Sequence, residues 1–440
     1  MKVLFISLGC DKNLVDSEEM IGLLGKENFQ FTEDETEADI IIINTCCFVN
    51  DAKEESINTI LQMAEYRKSG SAKALIVTGC LAQRYKEEII KEIPEVDAIV
   101  GTSSYDGILE AVNSALEGKR FEKFDSLERL LVEEEKRVVT TGGHYAYLKI
   151  AEGCNKCCTY CIIPKIRGKF RSVPIETLVS TAEKLVNNGA REIILVAQET
   201  TLYGVDLYGK KMLPELLRKL SDISGLVWIR LLYCYPEEIT DELIEVIKNE
   251  KKICHYIDMP IQHASDNILR RMGRRTSKQE LREKINKIRK EIPDMIIRTT
   301  LITGFPGETE AEHEELMDFI DEMEFDRLGV FTYSPEEDTP AAEMPDQIDE
   351  DVKMMRRNEA MELQQEIVFE KADEKVGKTM LCMIEGKVVD ENAYIGRTYM
   401  DAPNVDGNIF ITSDDELVTG DFVRVKVTGA CEYDLIGEVQ

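Results

Sequence analysis

Hydrophobic positions along the first hundred residues come in short dense runs separated by sparser, helix-spaced ones. KVLFISLGC (2–10), DIIIINTCC (39–47), KALIVTGC (73–80) and DAIVGT (97–102) are apolar enough to form strands buried on both faces. Between them, NLVDSEEMIGLLGKE and DAKEESINTILQMAEYRK space their apolar residues three and four apart, which predicts amphipathic helices. Strand and helix in strict alternation predict βαβ units. Residues 1–125 are therefore expected to form a doubly wound parallel α/β domain.

Residues 118–145 break the alternation with a charged stretch ending near Gly142 and Gly143, which reads as a connection between domains. The alternation then resumes. Strands are expected at 146–154, 192–199, 227–233, 255–262, 295–305 and 327–334, with helices such as 175–189 and 277–292 between them. Six such units are too few for a closed eight-stranded barrel, so residues 140–370 are expected to form a partial, open (β/α)6 barrel. A polar helical stretch over 348–376 leads into five short strands with Asn-Val-Asp-Gly and Thr-Gly-Asp turns. That texture predicts a small antiparallel β-barrel of OB-like size over 372–440.

Length and composition agree with this division. A chain of 440 residues suggests about three domains, and 43% apolar content supplies their cores. No run of 18 apolar residues and no cleavable leader stand out, so the expectation is a soluble cytoplasmic protein without a membrane partner. In that compartment twelve cysteines point to metal or catalytic use rather than disulfides. The net charge of -30 opposes a general attraction to nucleic acid and favours a basic protein partner. Solubility alone is the plainer explanation.

The cysteine spacing carries the chemistry. Cys154, Cys158 and Cys161 form a C-x3-C-x2-C motif in EGCNKCCTYCIIP. Three thiolates hold three irons of a cubic four-iron cluster and leave the fourth iron open to a small molecule. A zinc knuckle or a redox pair built on Cys154 and Cys157 is the alternative. It lacks a second CxxC or a histidine pair, the histidines being His144, His255, His263 and His313. Three expected strands of the first domain end at Cys10, at Cys46 with Cys47, and at Cys80. Ligand sites in open α/β sheets gather at such strand ends, so Cys10, Cys46 and Cys80 are expected to hold a second cluster. The side chain next to Cys46 points the other way along a strand, which assigns Cys47 to packing. Cys157 is expected to be a bystander, and Cys234, Cys254, Cys382 and Cys431 to pack in cores.

The C-x3-C-x2-C spacing resembles that of the radical S-adenosylmethionine enzymes. SLGCDKN, INTCCFVNDA, VTGCLAQR and GCNKCCTYCIIPKIRGKFRS together resemble their methylthiotransferase family over essentially the whole chain, with a carboxyl-terminal module similar to a TRAM domain. The resemblance implies two [4Fe-4S] clusters, with S-adenosylmethionine as both radical source and methyl donor. Cys154, Cys158 and Cys161 would hold the catalytic radical cluster, and Cys10, Cys46 and Cys80 the cluster that presents sulfur. It also implies cofactor contacts. Tyr160 would lie beside the adenine, although plain packing explains it as well. Gln198 and Glu199 stand where the family keeps a Gly-Gly-Glu motif for the ammonium group. Arg298, with Arg230, Gln262 and His263, lies on or beside later strands, and GFPGE at 304–308 resembles a loop near the adenosine.

GCDKNLVDSE and YLKIAEGC resemble the ribosomal-protein (RimO-type) branch, whose reaction is methylthiolation of the β-carbon of an aspartate in ribosomal protein S-12 with an external electron donor. The tRNA-modifying branch more often has Gln where this chain has Asp11. Charge argues the same way, because residues 372–440 hold six Lys and Arg against fourteen Asp and Glu, a poor grip for tRNA. The basic loop with Lys165, Arg167, Lys169 and Arg171 keeps a tRNA adenosine methylthiotransferase open as an alternative. An iron–sulfur electron-transfer or sulfur-carrier protein is the alternative of another class.

Overall fold

A computed structural model describes residues 1–129, 137–389 and 392–440. The amino-terminal lobe is a six-stranded, all-parallel sheet in the order β2-β1-β3-β4-β5-β6. Its strands are β1 (Lys2–Ser7), β2 (Gln30–Phe31), β3 (Ile40–Thr45), β4 (Ala74–Gly79), β5 (Ala98–Val100) and β6 (Phe121–Lys123). β3 and β4 are buried throughout, as their unbroken apolar runs require. The strand β6 falls inside the expected connection. Phe121, Glu122 and Lys123 extend the sheet by pairing with β5, an edge role that asks for no long apolar run. Further along that connection Arg137 donates to Glu18 at 2.6 Å, which straps it to the Asp11–Lys26 helix. Residues 130–136 lie outside the described residues.

The central sheet comprises β7 (Tyr145–Lys149), β10 (Glu192–Val196), β11 (Trp228–Leu231), β12 (Ile253–Asp258), β13 (Ile296–Thr303) and β14 (Arg327–Thr332). Its order is β14-β13-β12-β11-β10-β7 with every pairing parallel, an open six-stranded half barrel. The short β8 (Ala151–Glu152) and β9 (Arg171–Ser172) pair antiparallel beside it. Alternate residues face opposite ways. Ala146, Leu148, Ile193, Leu195, Ile229 and Leu231 pack against the outer helices. Tyr145, Tyr147, Ile194, Val196, Trp228 and Tyr256 share a core with Met383, Ile384, Tyr394 and Met400 of the carboxyl-terminal module.

That module is a closed barrel in the order β15-β16-β17-β19-β18, from β15 (Thr379–Lys387), β16 (Ala393–Thr398), β17 (Ile409–Thr412), β18 (Phe422–Cys431) and β19 (Asp434–Val439). Four of its pairings are antiparallel, whereas β17 and β19 run parallel. The Glu350–Asp373 helix leads into it. Charge seals the seam with the half barrel. The fully buried Glu192 accepts from Arg230 and from Arg397, each at 2.7 Å, and Arg327 reaches Asp401 at 2.5 Å. Cys234, Cys254 and Cys382 are buried as expected, but Cys431 is exposed at the end of β18, where the last residue of a strand has no facing layer. Among the described residues no helix is long and apolar enough to cross a membrane.

Candidate functional site

Three cysteines sit just past the carboxyl ends of neighbouring strands in the amino-terminal lobe. Cys10 precedes the Asp11–Lys26 helix, Cys46 follows β3, and Cys80 opens the Cys80–Arg84 helix after β4. Asn13 draws the first two together, since its Nδ2 donates to Leu8 O at 3.0 Å and to Thr45 O at 2.9 Å. Gly9 has φ +91°, and a Cβ there would come within 2.9 Å of Cys46 Sγ, so only glycine lets the two loops approach. The three thiols lie within one another's electrostatic reach. Burial, reinforced by Cys10, raises the Cys46 thiol, and burial raises Cys80 further. Cys47 is fully buried in the lobe's own core, where desolvation pushes its thiol up to about 12.

The central trio occupies the loop between β8 and the Ile163–Arg167 helix. Gly153, with φ +79°, turns the chain so that Cys154 N donates to Gly168 O at 3.2 Å. A Cβ at Gly153 would lie 2.6 Å from that same carbonyl oxygen. Cys161 N closes on Cys158 O at 3.0 Å, which folds the second and third ligands into one turn. Cys158 Sγ lies 3.7 Å from Tyr235 Oη, and Arg274 covers the Tyr235 ring at 4.3 Å. Burial pushes the Cys154 thiol up to about 11 and Cys161 further. Cys157 is exposed with φ +54°.

Among the described residues no three His, Cys, Asp or Glu side chains close about one point as ligands of a single ion would. Thiolates of a cubic cluster each hold a different iron and stand farther apart than that. Two separate sets of three mutually close cysteines, placed in glycine-cleared loops, suit such clusters, and a bound metal deprotonates its thiols whatever their value in the empty protein.

Both trios follow the carboxyl ends of strands, and the two lobes touch through pairs such as Tyr233 with Asp11 and Lys149 with Asp16. A buried charge network joins them. Arg167 donates from Nη1 to Asp16 at 2.7 Å and to Glu152 at 3.3 Å, and from Nη2 to Cys80 Sγ at 3.4 Å and to Asn13 Oδ1. Lys149 pairs with the same two carboxylates, Asp16 and Glu152. Lys149 and Arg167 hold Glu152 down at about 2, against the burial that opposes them. Asp16 and Glu152 lie within runs quoted above for their resemblance, yet nothing in their spacing announces that they meet.

The expected cofactor contacts fall into different places. Glu199 is fully buried. Its Oε1 accepts from Thr201 N at 2.8 Å, while Oε2 has no hydrogen-bond partner among the described residues. Burial raises its carboxyl to about 7, with Lys156 4.0 Å away. An orphaned carboxylate oxygen in this position suits a ligand ammonium group. Gln198 instead braces the cluster loop, its Oε1 accepting from Gly153 N at 2.9 Å and its Nε2 donating to Glu152 at 2.6 Å. Tyr160 stands edge-on to Phe305 of the 304–308 loop at 6.5 Å. That loop wraps Glu308, which accepts from Gly304 N at 2.7 Å. Arg298 lies at the seam with the carboxyl-terminal barrel, paired with Asp258 at 2.8 Å and Asp406 at 3.5 Å. Arg230 is held by Glu192 in the same seam, and His263 is buried 3.6 Å from Glu308. Gln262 has φ +73° and bridges to Leu301.

Comparison with known proteins covers the chain from end to end. Residues 2–101 match an uncharacterized protein family (UPF0004), 148–320 the radical SAM superfamily and 376–439 the TRAM domain. The solved cobalamin- and [4Fe-4S]-bound radical S-adenosylmethionine methyltransferase TsrM of Kitasatospora setae superposes with a TM-score of 0.54 at 13% identity, covering 77% of this chain and 76% of its own. At that identity the likeness speaks for the fold alone. A relative from Lachnoclostridium phytofermentans, the ribosomal protein uS12 methylthiotransferase RimO, is 65% identical over 440 residues and all of both chains. Proteins of the same name from Clostridioides difficile and Acetivibrio thermocellus are 52% and 53% identical, each over all of this chain and 99% and 98% of their own. With identity of that level over the full length of both chains, this chain belongs to the ribosomal protein uS12 methylthiotransferase (RimO) family.

Proposed function

We propose that this chain methylthiolates the β-carbon of an aspartate in ribosomal protein uS12, with two [4Fe-4S] clusters and S-adenosylmethionine. The full-length identity to uS12 methylthiotransferases carries the reading, and the two cysteine trios supply its chemical logic. Cys154, Cys158 and Cys161 would hold one cluster and Cys10, Cys46 and Cys80 the other. When bound, these groups supply hydrogen abstraction, sulfur and the methyl group.

The chain's own part is placement. Glu199 offers its free oxygen to the ammonium of S-adenosylmethionine, and Gln198 fixes the loop of Cys154 through Gly153. Arg167 and Lys149 clamp the two lobes together through Asp16 and Glu152. Reducing electrons come from an external donor, in the cytoplasm.

The basic loop that kept tRNA open is mostly engaged within the protein. Arg167 is buried in the charge network, Lys165 donates to Asp338 O at 2.8 Å, and Arg171 donates to the backbone oxygens of Lys169 and Arg167. Lys165 and Lys169 are exposed, Lys169 against Glu128. Together with the acidic carboxyl-terminal module, this favours a basic protein substrate over RNA. The test is anaerobic reconstitution with reductant and S-adenosylmethionine, offering uS12 and an anticodon stem-loop RNA. A mass gain of one methylthio group on uS12 is expected. Gain on the RNA alone, or no 5'-deoxyadenosine from cluster-loaded protein, overturns the assignment.

A further inference from the structure

Two lysines are almost wholly buried, and they differ in their partners. Lys353 donates to Tyr333 O at 3.1 Å and to Glu350 at 2.6 Å. Lys12 is 6% exposed and has no oxygen partner among the described residues. Its ammonium sits 3.2 Å from the centroid of the Tyr233 ring. An ammonium held against one π face, with no carboxylate beside it, keeps unused hydrogen-bonding capacity. Such a group is poised for an anion.

Its surroundings fix where that anion would lie. Lys12 is two residues past Cys10, in the first turn of the Asp11–Lys26 helix, whose amino end adds a positive field. Tyr233 follows β11 at the carboxyl end of the half barrel, so the ammonium stands between the lobes. The ring beneath it is held firmly. Tyr233 Oη donates to Asp11 Oδ2 at 2.9 Å, its amide donates to Asp258 at 2.9 Å, and its carbonyl accepts from Thr200 N at 3.1 Å. These bonds keep Tyr233 at φ +59°, a strained backbone for a bulky residue. Strain of this kind, over-determined by hydrogen bonds, marks a ring whose position matters. Asp11 is engaged by Tyr233 and does not serve Lys12 as a partner.

We infer that Lys12 binds the side-chain carboxylate of the substrate aspartate, holding the neighbouring carbon beside the Cys10, Cys46 and Cys80 site. The inference rests on the uS12 reading above and names the group that recognises the residue to be modified. A carboxylate supplies the missing charge-assisted hydrogen bond; an asparagine amide supplies no charge.

Reconstituted wild type, Lys12→Gln and Lys12→Arg are compared for anaerobic binding and turnover of uS12 and of uS12 carrying asparagine at the modified position. Iron content confirms that each variant is folded and loaded. Wild type is expected to bind the aspartate form roughly tenfold tighter than the asparagine form, the value of one such bond. Lys12→Gln loses that preference, and Lys12→Arg keeps part of it. Should Lys12→Gln lose iron, Lys12→Arg is read alone, and its preference must then differ from wild type. An unchanged aspartate preference in iron-replete variants overturns the role of Lys12 while leaving the uS12 reading intact. A raised KM for S-adenosylmethionine with uS12 affinity unmoved reassigns Lys12 to the methionine carboxylate and also overturns it. If wild type modifies neither form of uS12, both readings fall.

Discussion

Arg167 Nη2 lies 3.4 Å from Cys80 Sγ, so a guanidinium from the Ile163–Arg167 helix hydrogen-bonds a thiol of the other lobe. Hydrogen bonds to cluster sulfurs are among the levers that set reduction potential. Arg167→Lys keeps a positive charge but loses the fork that reaches Cys80 and Asn13 together. The midpoint potential of the amino-terminal cluster is expected to fall, while that of the Cys154 cluster stays put, in an EPR-monitored titration. An unmoved potential in folded Arg167→Lys would show that the bond does not persist once iron is bound. Arg167→Ala leaves Asp16 and Glu152 to share the one cation Lys149 and is expected to cost about 3–5 kcal/mol in chemical denaturation.

Glu199 sets a pH dependence. Its carboxyl is raised to about 7, chiefly by burial, and an ammonium ligand binds only the charged form. Affinity for S-adenosylmethionine is therefore expected to weaken as pH falls through about 7 and to level off above it. Glu199→Gln should bind weakly at every pH, with a flat profile by calorimetry. The linkage to stability has the opposite sense. Because the folded protein binds this proton more tightly than the unfolded chain, unliganded stability falls as pH rises from the ordinary carboxylate range through about 7.

The seam between half barrel and carboxyl-terminal barrel rests on Arg397, which reaches Glu192 at 2.7 Å and Glu385 at 2.6 Å. Both Arg397 and Glu192 are buried, so Arg397→Ala strands part of a buried charge. A loss of about 3–5 kcal/mol is expected, read as a lower denaturation midpoint. A change below about 1 kcal/mol would show that water reaches the seam and screens it.

The proposed function gives the two trios different roles. Cys154→Ala is expected to abolish S-adenosylmethionine cleavage. Cys80→Ala should still release 5'-deoxyadenosine but transfer no sulfur, and each variant should retain about half the iron. Cys47→Ala should keep the full iron complement, because Cys47 packs in the lobe's core. Iron loss in Cys47→Ala would exchange the roles of Cys46 and Cys47.

Much of this molecule is legible from local pattern. β3 and β4 are unbroken apolar runs bounded by cysteine, and the six central strands appear at the spacing that the alternation predicts. β6 was not legible, because Phe121, Glu122 and Lys123 have no apolar run and join the sheet only as an edge beside β5. Arg298 shows the same limit at the site. Its place on a barrel strand is local information, yet it pairs with Asp406, which is brought to it only by docking of the carboxyl-terminal barrel.

Burial periodicity, cysteine spacing and net charge are short-range properties of the chain, and they suffice to propose three domains, two ligand trios and a basic partner. The meeting of Arg167 with Asp16, 151 residues apart, and of Lys12 with the ring of Tyr233 is of another kind. Such contacts depend on how two lobes pack, and neither spacing nor composition encodes which buried charges that packing leaves paired and which it leaves waiting for a ligand.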